Sequence, residues 1–348
     1  MSYGRARPRG HARRRAVLLL AGAGLVAAGC SSAAPSGSSS GAPVAGTAGH
    51  RAGTADVAYA GSLENLNEKV VGPAFSKKTG YAFTGRGAGA LALSQEIKSG
   101  EISPNVFESI GGKPIEALEP KFTTWYVQFA SSPIVLAYNP ASKYAGQLKA
   151  IAHGQQPMSD LFALLQAPGF RLGRTDPNVD PQGQAFIEML LLAQRQYRLP
   201  AGTVNKIIGG SPSSASSPTI FEETALEPRL QAGQLDAASA YRSQAVQLHL
   251  PYIALPSSID LGDPALKAHY ATASFKLADG TTAQGKPLVV TITTIGKTGR
   301  AAADAFVAYV LSPAGLARHQ AGGYVLLTPK VAGDSSAIPA PVRSELGG

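Results

Sequence analysis

The chain is poor in the residues on which many chemistries depend. Cys30 is its only cysteine, so no internal disulfide can form. Six histidines (His11, His50, His153, His249, His269, His319) are scattered without an H-E-x-x-H spacing, and classical zinc ligation is poorly supplied. Gly85–Gly89 is glycine-rich but lacks the Lys-Ser/Thr ending of a phosphate loop, and no Rossmann fingerprint occurs. Lys297-Thr298-Gly299 spells the K-T-G of penicillin-binding enzymes. S-x-x-K and S-D-N are both missing, which removes nucleophile and base. No self-similarity recurs at a period of about 20–50 residues, which excludes repeat architectures.

Positive charge is also scarcer than the total suggests. The net charge is +9, but residues 1–30 hold six arginines and no acid; the remainder carries 25 basic against 22 acidic groups, a net of +3. No basic block interleaved with aromatics survives there, so nucleic-acid binding gets no support. The first thirty residues read as a targeting segment. A basic region ends at Arg15, an apolar run extends from Ala16 to about Ala28, and small residues lead to Gly29-Cys30. The run is shorter than the roughly 20 residues of a membrane-spanning helix. Cys30 sits as the acylated cysteine of a bacterial lipobox would, although Ala27 stands where such boxes usually carry leucine; a plain secretory cleavage is the other reading. Residues 31–54 are Ser/Gly/Ala-rich without an aromatic, a flexible tether with a reach of roughly 25–30 Å.

With 44% hydrophobic residues, the rest can bury a sizeable core in two domains or one large one. A strand at 57–60, a turn at Gly61-Ser62, a helix from about Leu63 to Lys78 interrupted at Gly72-Pro73, a strand at 81–84, a glycine-rich turn and a helix at 91–99 alternate as an open α/β sheet does. Trp125–Tyr138 is the strongest strand signal, with Ser131-Ser132-Pro133 in its middle. Leu288–Ile295 alternates apolar residues with threonine, as a half-buried strand should. Arg300–Leu311 reads as an amphipathic helix, and residues after about Lys330 as a loose tail. Gly173–Tyr197 joins a loop with two Asp-Pro pairs to an apolar helix. Such a helix start can offer free N–H groups to an anion; the plainer reading is turn chemistry.

Several stretches together resemble the molybdate/tungstate-binding proteins of ABC transporters, especially the tungstate type. They are Tyr59-Ala60-Gly61-Ser62-Leu63, Trp125–Ala130 with Ile134–Tyr138, Gly173–Asn178 with Asp180-Pro181-Gln182-Gly183, Gly233–Asp236, Tyr241–Gln247 and Gly285–Leu288. Together they cover about residues 56–330 in the family's order. The resemblance implies an α/β, two-lobed periplasmic-binding-protein-like fold of type II, with ligand in the interlobe cleft. The implied division is 55–139 and 250–332 for the first lobe, 140–249 for the second, and 333–348 for the tail. The two chain crossings are expected near Asn139 and near Leu250. The implied ligand-binding residues are Gly61, Ser62 and Ala90 on the first lobe, facing Asp180, Pro181, Gln182, Glu223 and Tyr241. Asp180 and Glu223 match the carboxylates that complete coordination of the Mo or W centre; facing an oxyanion, they make sense only if they reach the metal atom itself, and hard oxygen ligands suit it.

Each position has a plainer reading. Ser62 can cap a helix, Asp180 can form the turn, Glu223 can be a solvated charge exchangeable with Glu222, and Tyr241 can be a half-buried strand residue. Two departures bear on ligand identity. Ala90 replaces the family's second serine, and Gln184-Ala185 replace Tyr-Arg, leaving Arg174 or Arg86 as stand-ins. The expected function is capture of molybdate or tungstate for an ABC permease and its ATPase. The protein would be a lipid-anchored monomer at the outer face of the cytoplasmic membrane, without enzymatic activity or cofactor. The alternatives are a sulfate or phosphate binder, for which carboxylates should point out of the cleft, and an envelope enzyme of the penicillin-binding kind.

Overall fold

The computed structural model describes residues 53–212, 217–296 and 299–347. The targeting segment with Cys30, nearly all of the tether and the Lys297-Thr298 pair lie outside the described residues. The described strands are β1 (Thr54–Ala60), β2 (Ala82–Ala88), β3 (Val106–Ile110), β4 (Trp125–Ser131), β5 (Ile134–Tyr138), β6 (Leu172–Gly173), β7 (Ala237–Tyr241), β8 (Tyr252–Ala254), β9 (Ser274–Lys276), β10 (Thr282–Gln284), β11 (Val289–Thr294) and β12 (Val325–Gly333). They build a six-stranded sheet in the order β12-β4-β11-β3-β1-β2 and a four-stranded sheet in the order β6-β7-β5-β8, with β9 and β10 as a separate hairpin. The two larger sheets are the centres of two lobes.

In the first lobe β1 runs parallel to both β2 and β3, and β11 lies antiparallel between β3 and β4. Strand β11 is buried along its whole length rather than on one face. Its threonines tolerate this because their hydroxyls find carbonyl partners: Thr291 Oγ1 donates to the Ser109 and Gly111 carbonyls, and Thr293 Oγ1 to that of Trp125 at 2.6 Å. The helical run after β1 also continues through Gly72-Pro73. A π turn at Asn67–Val71 leads directly into the Gly72–Thr79 segment, of which Pro73 is the second residue.

In the second lobe β5 (IVLAY) has no polar face because its sheet is covered on both sides. Ile134, Leu136 and Tyr138 join the main core, whereas Val135 and Ala137 join a smaller cluster with Leu226, Leu230 and Leu235. The Pro181–Gln196 helix buries Phe186, Ile187, Met189 and Leu190 in the main core.

The chain crosses between lobes earlier and later than the expected points at Asn139 and Leu250. The single strand signal at Trp125–Tyr138 is two strands in two sheets, and the first crossing is the Ser132-Pro133 link. Proline has no N–H for a ladder, and so the first sheet ends there. Strand β8 still pairs with β5, which puts the return beyond Ala254, at about Gly285–Leu288. The two crossing segments lie side by side, with the Ser132 N–H donating to the Leu288 carbonyl at 3.1 Å. The expected loose tail is corrected too. Strand β12 runs to Gly333, and a terminal helix, Ala340–Glu345, buries Val342 completely.

Candidate functional site

The site forms where strand ends from both lobes meet. On the first lobe, β1 ends at Ala60 and its chain turns at once into a helix, leaving the Gly61 and Ser62 N–H groups facing outward along the strand direction. Both are taken by one carboxylate from the other lobe. Gly61 N donates to Glu223 Oε2 at 2.8 Å and Ser62 N to Glu223 Oε1 at 2.9 Å. Neighbouring Glu222 is exposed, so of the two exchangeable glutamates it is Glu223 that enters the cleft. Its burial is almost complete, at 3% exposure. Burial raises its pKa well above the usual carboxylate range, and the negative Asp180 and Glu227 push the same way.

Asp180 arrives from the N-terminus of the Pro181–Gln196 helix. Its Oδ1 accepts the Gln182 N–H at 2.7 Å, which makes it the N-cap of its own helix. The anion site read at this helix start is therefore taken by the chain's own carboxylate. Asp180 is nevertheless part of the cluster. The lobes meet here through the Ala92 N–H donating to the Val179 carbonyl at 3.1 Å. A methyl group placed on Gly89 would lie 3.3 Å from the Asp180 Cβ. Burial, chiefly, lifts the Asp180 pKa to about 7.

Tyr241 closes the group from the end of β7. Its hydroxyl is buried without a hydrogen-bond partner, as is the hydroxyl of Ser62. Ser62 is thus no helix cap. Burial, then Asp180 and Glu223, hold the Tyr241 phenol far above its ordinary pKa, so it stays a hydrogen-bond donor. Two unused hydroxyl donors, two backbone N–H donors and two carboxylates converge here. The charges that weigh most on the carboxylates and the phenol are all negative.

Not every expected residue points into this group. Ala90 is fully buried at the first position of the Ala90–Ser99 helix, against the cluster through Gly89. The Gln182 side chain is turned into a relay instead: Ser239 Oγ donates to its Oε1, and its Nε2 donates to Gln244 Oε1, which also accepts the Tyr241 N–H. Pro181 and Gln184 line a separate interlobe cavity of about 180 Å³ with Leu91, Glu188 and Lys286. Of the two stand-in arginines, Arg86 is tied up in an ion pair, whereas buried Arg174 keeps its Nη2 without a partner among the described residues. Arg86 pairs with Glu96 at 2.7 Å, and buried Arg174 donates to Thr219 Oγ1 and the Thr175 carbonyl. Sequence reasoning missed Glu227, buried one turn beyond Glu223 with an unpartnered Oε1 and a pKa raised by burial to about 8. The four-residue spacing from Glu223 was the available signal.

A two-lobed α/β fold with paired crossings and converging polar groups at the lobe junction defines a binding protein that encloses a small solute. Residues 55–325 match the model of the bacterial extracellular solute-binding proteins, and the chain belongs to that family. A Haloferax volcanii relative, provisionally named an ABC transporter molybdenum-binding protein, is 30% identical over 240 residues, covering 69% of this chain and 72% of the relative. The molybdate/tungstate-binding protein of Pyrococcus abyssi is 30% identical over 234 residues, covering 62% of this chain and 66% of its own. Among solved structures, the periplasmic molybdate-binding protein of Azotobacter vinelandii shares the fold with a TM-score of 0.50 at 19% identity, over 78% of this chain and 99% of that one.

Proposed function

We propose that this protein captures molybdate or tungstate outside the cell and hands it to an ABC permease. The observation that carries the reading is the set of four donors and two carboxylates converging at the lobe junction. The donors are the Gly61 and Ser62 N–H groups and the Ser62 and Tyr241 hydroxyls; they suit the oxygens of an oxyanion. Asp180 and Glu223 would repel sulfate or phosphate, whose central atoms accept no further ligands. A molybdenum or tungsten centre can take two hard carboxylate oxygens. The names of the relatives from Haloferax volcanii and Pyrococcus abyssi agree with this choice. In this reading Asp180 and Glu223 bind the metal centre of the ligand. The protein works as a monomer without cofactor or catalysis, and Cys30 carries the lipid that anchors it at the outer face of the membrane.

Calorimetric titration with tungstate, molybdate, sulfate and phosphate tests the ligand. Tungstate or molybdate should bind tightly and the other two weakly. Loss of groups that merely support metal ligands costs about 10–100-fold in metal affinity, and so loss of a direct ligand in Glu223→Ala should cost at least about 100-fold. Tight sulfate or phosphate binding that ignores Glu223 would overturn the ligand assignment.

A further inference from the structure

The Glu223 carboxylate occupies the two amide donors that the proposed ligand requires. A backbone N–H has one hydrogen to give, and both Oε1 and Oε2 are within 2.9 Å of their donors. A carboxylate and an oxyanion present the same feature to such a pair, namely two acceptor oxygens on one atom. Carboxylate and ligand therefore exclude one another at Gly61 and Ser62. Glu223 belongs to the second lobe and the amides to the first, and the bonds span 161 and 162 residues of chain. They are struts across the cleft.

The surroundings of Glu223 make this engagement conditional. No side chain donates a hydrogen bond to its carboxyl group among the described residues, and the Tyr241 hydroxyl has no partner. Among the described residues, only the two first-lobe amides hold it. A ligand that supplies oxygens to those amides, and a coordination position to the carboxylate, removes the reason for the strut and replaces it.

We propose that Glu223 is a displaceable latch: its carboxylate holds the lobes together on the Gly61 and Ser62 amides and yields them to the incoming oxyanion. The displacement half rests on the oxyanion reading above; the latch half stands on the hydrogen bonds alone. The consequence is a binding protein that rests with its lobes drawn together and must exchange an internal carboxylate for its ligand.

The test measures lobe separation with no oxyanion present. Cys30→Ser leaves the full chain without thiols, and Lys98→Cys with Asn205→Cys places one exposed spin label on each lobe. Double electron–electron resonance should give a single short-distance population in this parent. Glu223→Gln offers one acceptor instead of two and should shift the distribution to longer distances. Gly61→Ala keeps the charge but places a methyl 2.8 Å from Glu223 Oε2, displacing the carboxylate, and should produce the same shift. Circular dichroism melts confirm that each variant is folded; if one fails, the other decides. A parent already open without ligand, or variants as closed as the parent, overturns the latch. Calorimetry on the same parent keeps the two ideas apart. A closed parent that gives no heat with molybdate or tungstate retains the latch and removes the ligand reading, and an open parent that closes on tungstate does the reverse.

Discussion

The most informative single residue outside the ligand cluster is Glu188. It lies inside an otherwise apolar stretch of the Pro181–Gln196 helix, 4% exposed, and lines the interlobe cavity. Burial raises its pKa to about 8, against the opposing pull of Lys286 and Lys113. An unfolded glutamate titrates near 4.3. Between those values the folded chain holds a proton that the unfolded chain has lost, so stability falls as pH rises through the window and levels off above about 8. Glu188→Gln removes this share. Denaturant unfolding at pH 5 and pH 8.5 should show a smaller loss for the variant than for the parent, by an amount on the order of 1–3 kcal/mol. Equal losses in the two proteins would show that Glu188 does not carry the proton. Asp180 makes a related point at the same scale. Its Asp-Pro-x-Gly context suggested both a turn and a ligand, and the structure gives it the capping bond while leaving it in the cluster.

At the scale of elements, the lobes also touch at the start of the Ala90–Ser99 helix. Gly89 is required by this approach, since a Cβ there would lie 2.9 Å from the Val179 carbonyl oxygen. That oxygen is backbone and cannot swing aside. Overpacking costs about 1–3 kcal/mol, and here the cost falls on the closed arrangement alone, because the obstruction disappears when the lobes part. Gly89→Ala should therefore lower tungstate affinity by up to about 150-fold and move the ligand-free protein towards a more open lobe arrangement while the chain stays folded. An unchanged affinity would mean that capture does not require this contact. The Ser239–Gln182–Gln244–Tyr241 relay is a second device of this kind, fixing the end of β7 so that the Tyr241 hydroxyl is presented rather than spent.

For the whole molecule, closure around a ligand links binding to stability. A ligand that binds only the folded, closed chain adds about 4 kcal/mol at a thousand-fold excess over its dissociation constant. Thermal unfolding should accordingly shift upward with tungstate or molybdate and scarcely with sulfate, and the shift should shrink in Gly89→Ala. Among the described residues no helix is long and apolar enough to cross a membrane.

Much of this architecture was legible in the amino-acid order. The apolar period placed the Arg300–Leu311 helix at its observed limits, and the β-turn-α alternation after residue 56 gave the first lobe its start. The order of motifs from Tyr59 to Leu288 named the family that the comparison bears out. These are local properties: side-chain period, turn chemistry and backbone preference act over a few residues, and the chain states them directly. Three matters were decided only in three dimensions. Ser132-Pro133 reads as a flaw within one strand, and only sheet pairing shows that it divides two lobes. The last residues look like a loose tail until the hydrophobic surface that buries Val342 is assembled. Glu223 reads as a solvated charge beside Glu222 until folding brings it against Gly61 and Ser62, more than 160 residues away. Burial and long-range hydrogen bonding belong to surfaces built from distant segments, and those surfaces exist only once the chain has folded.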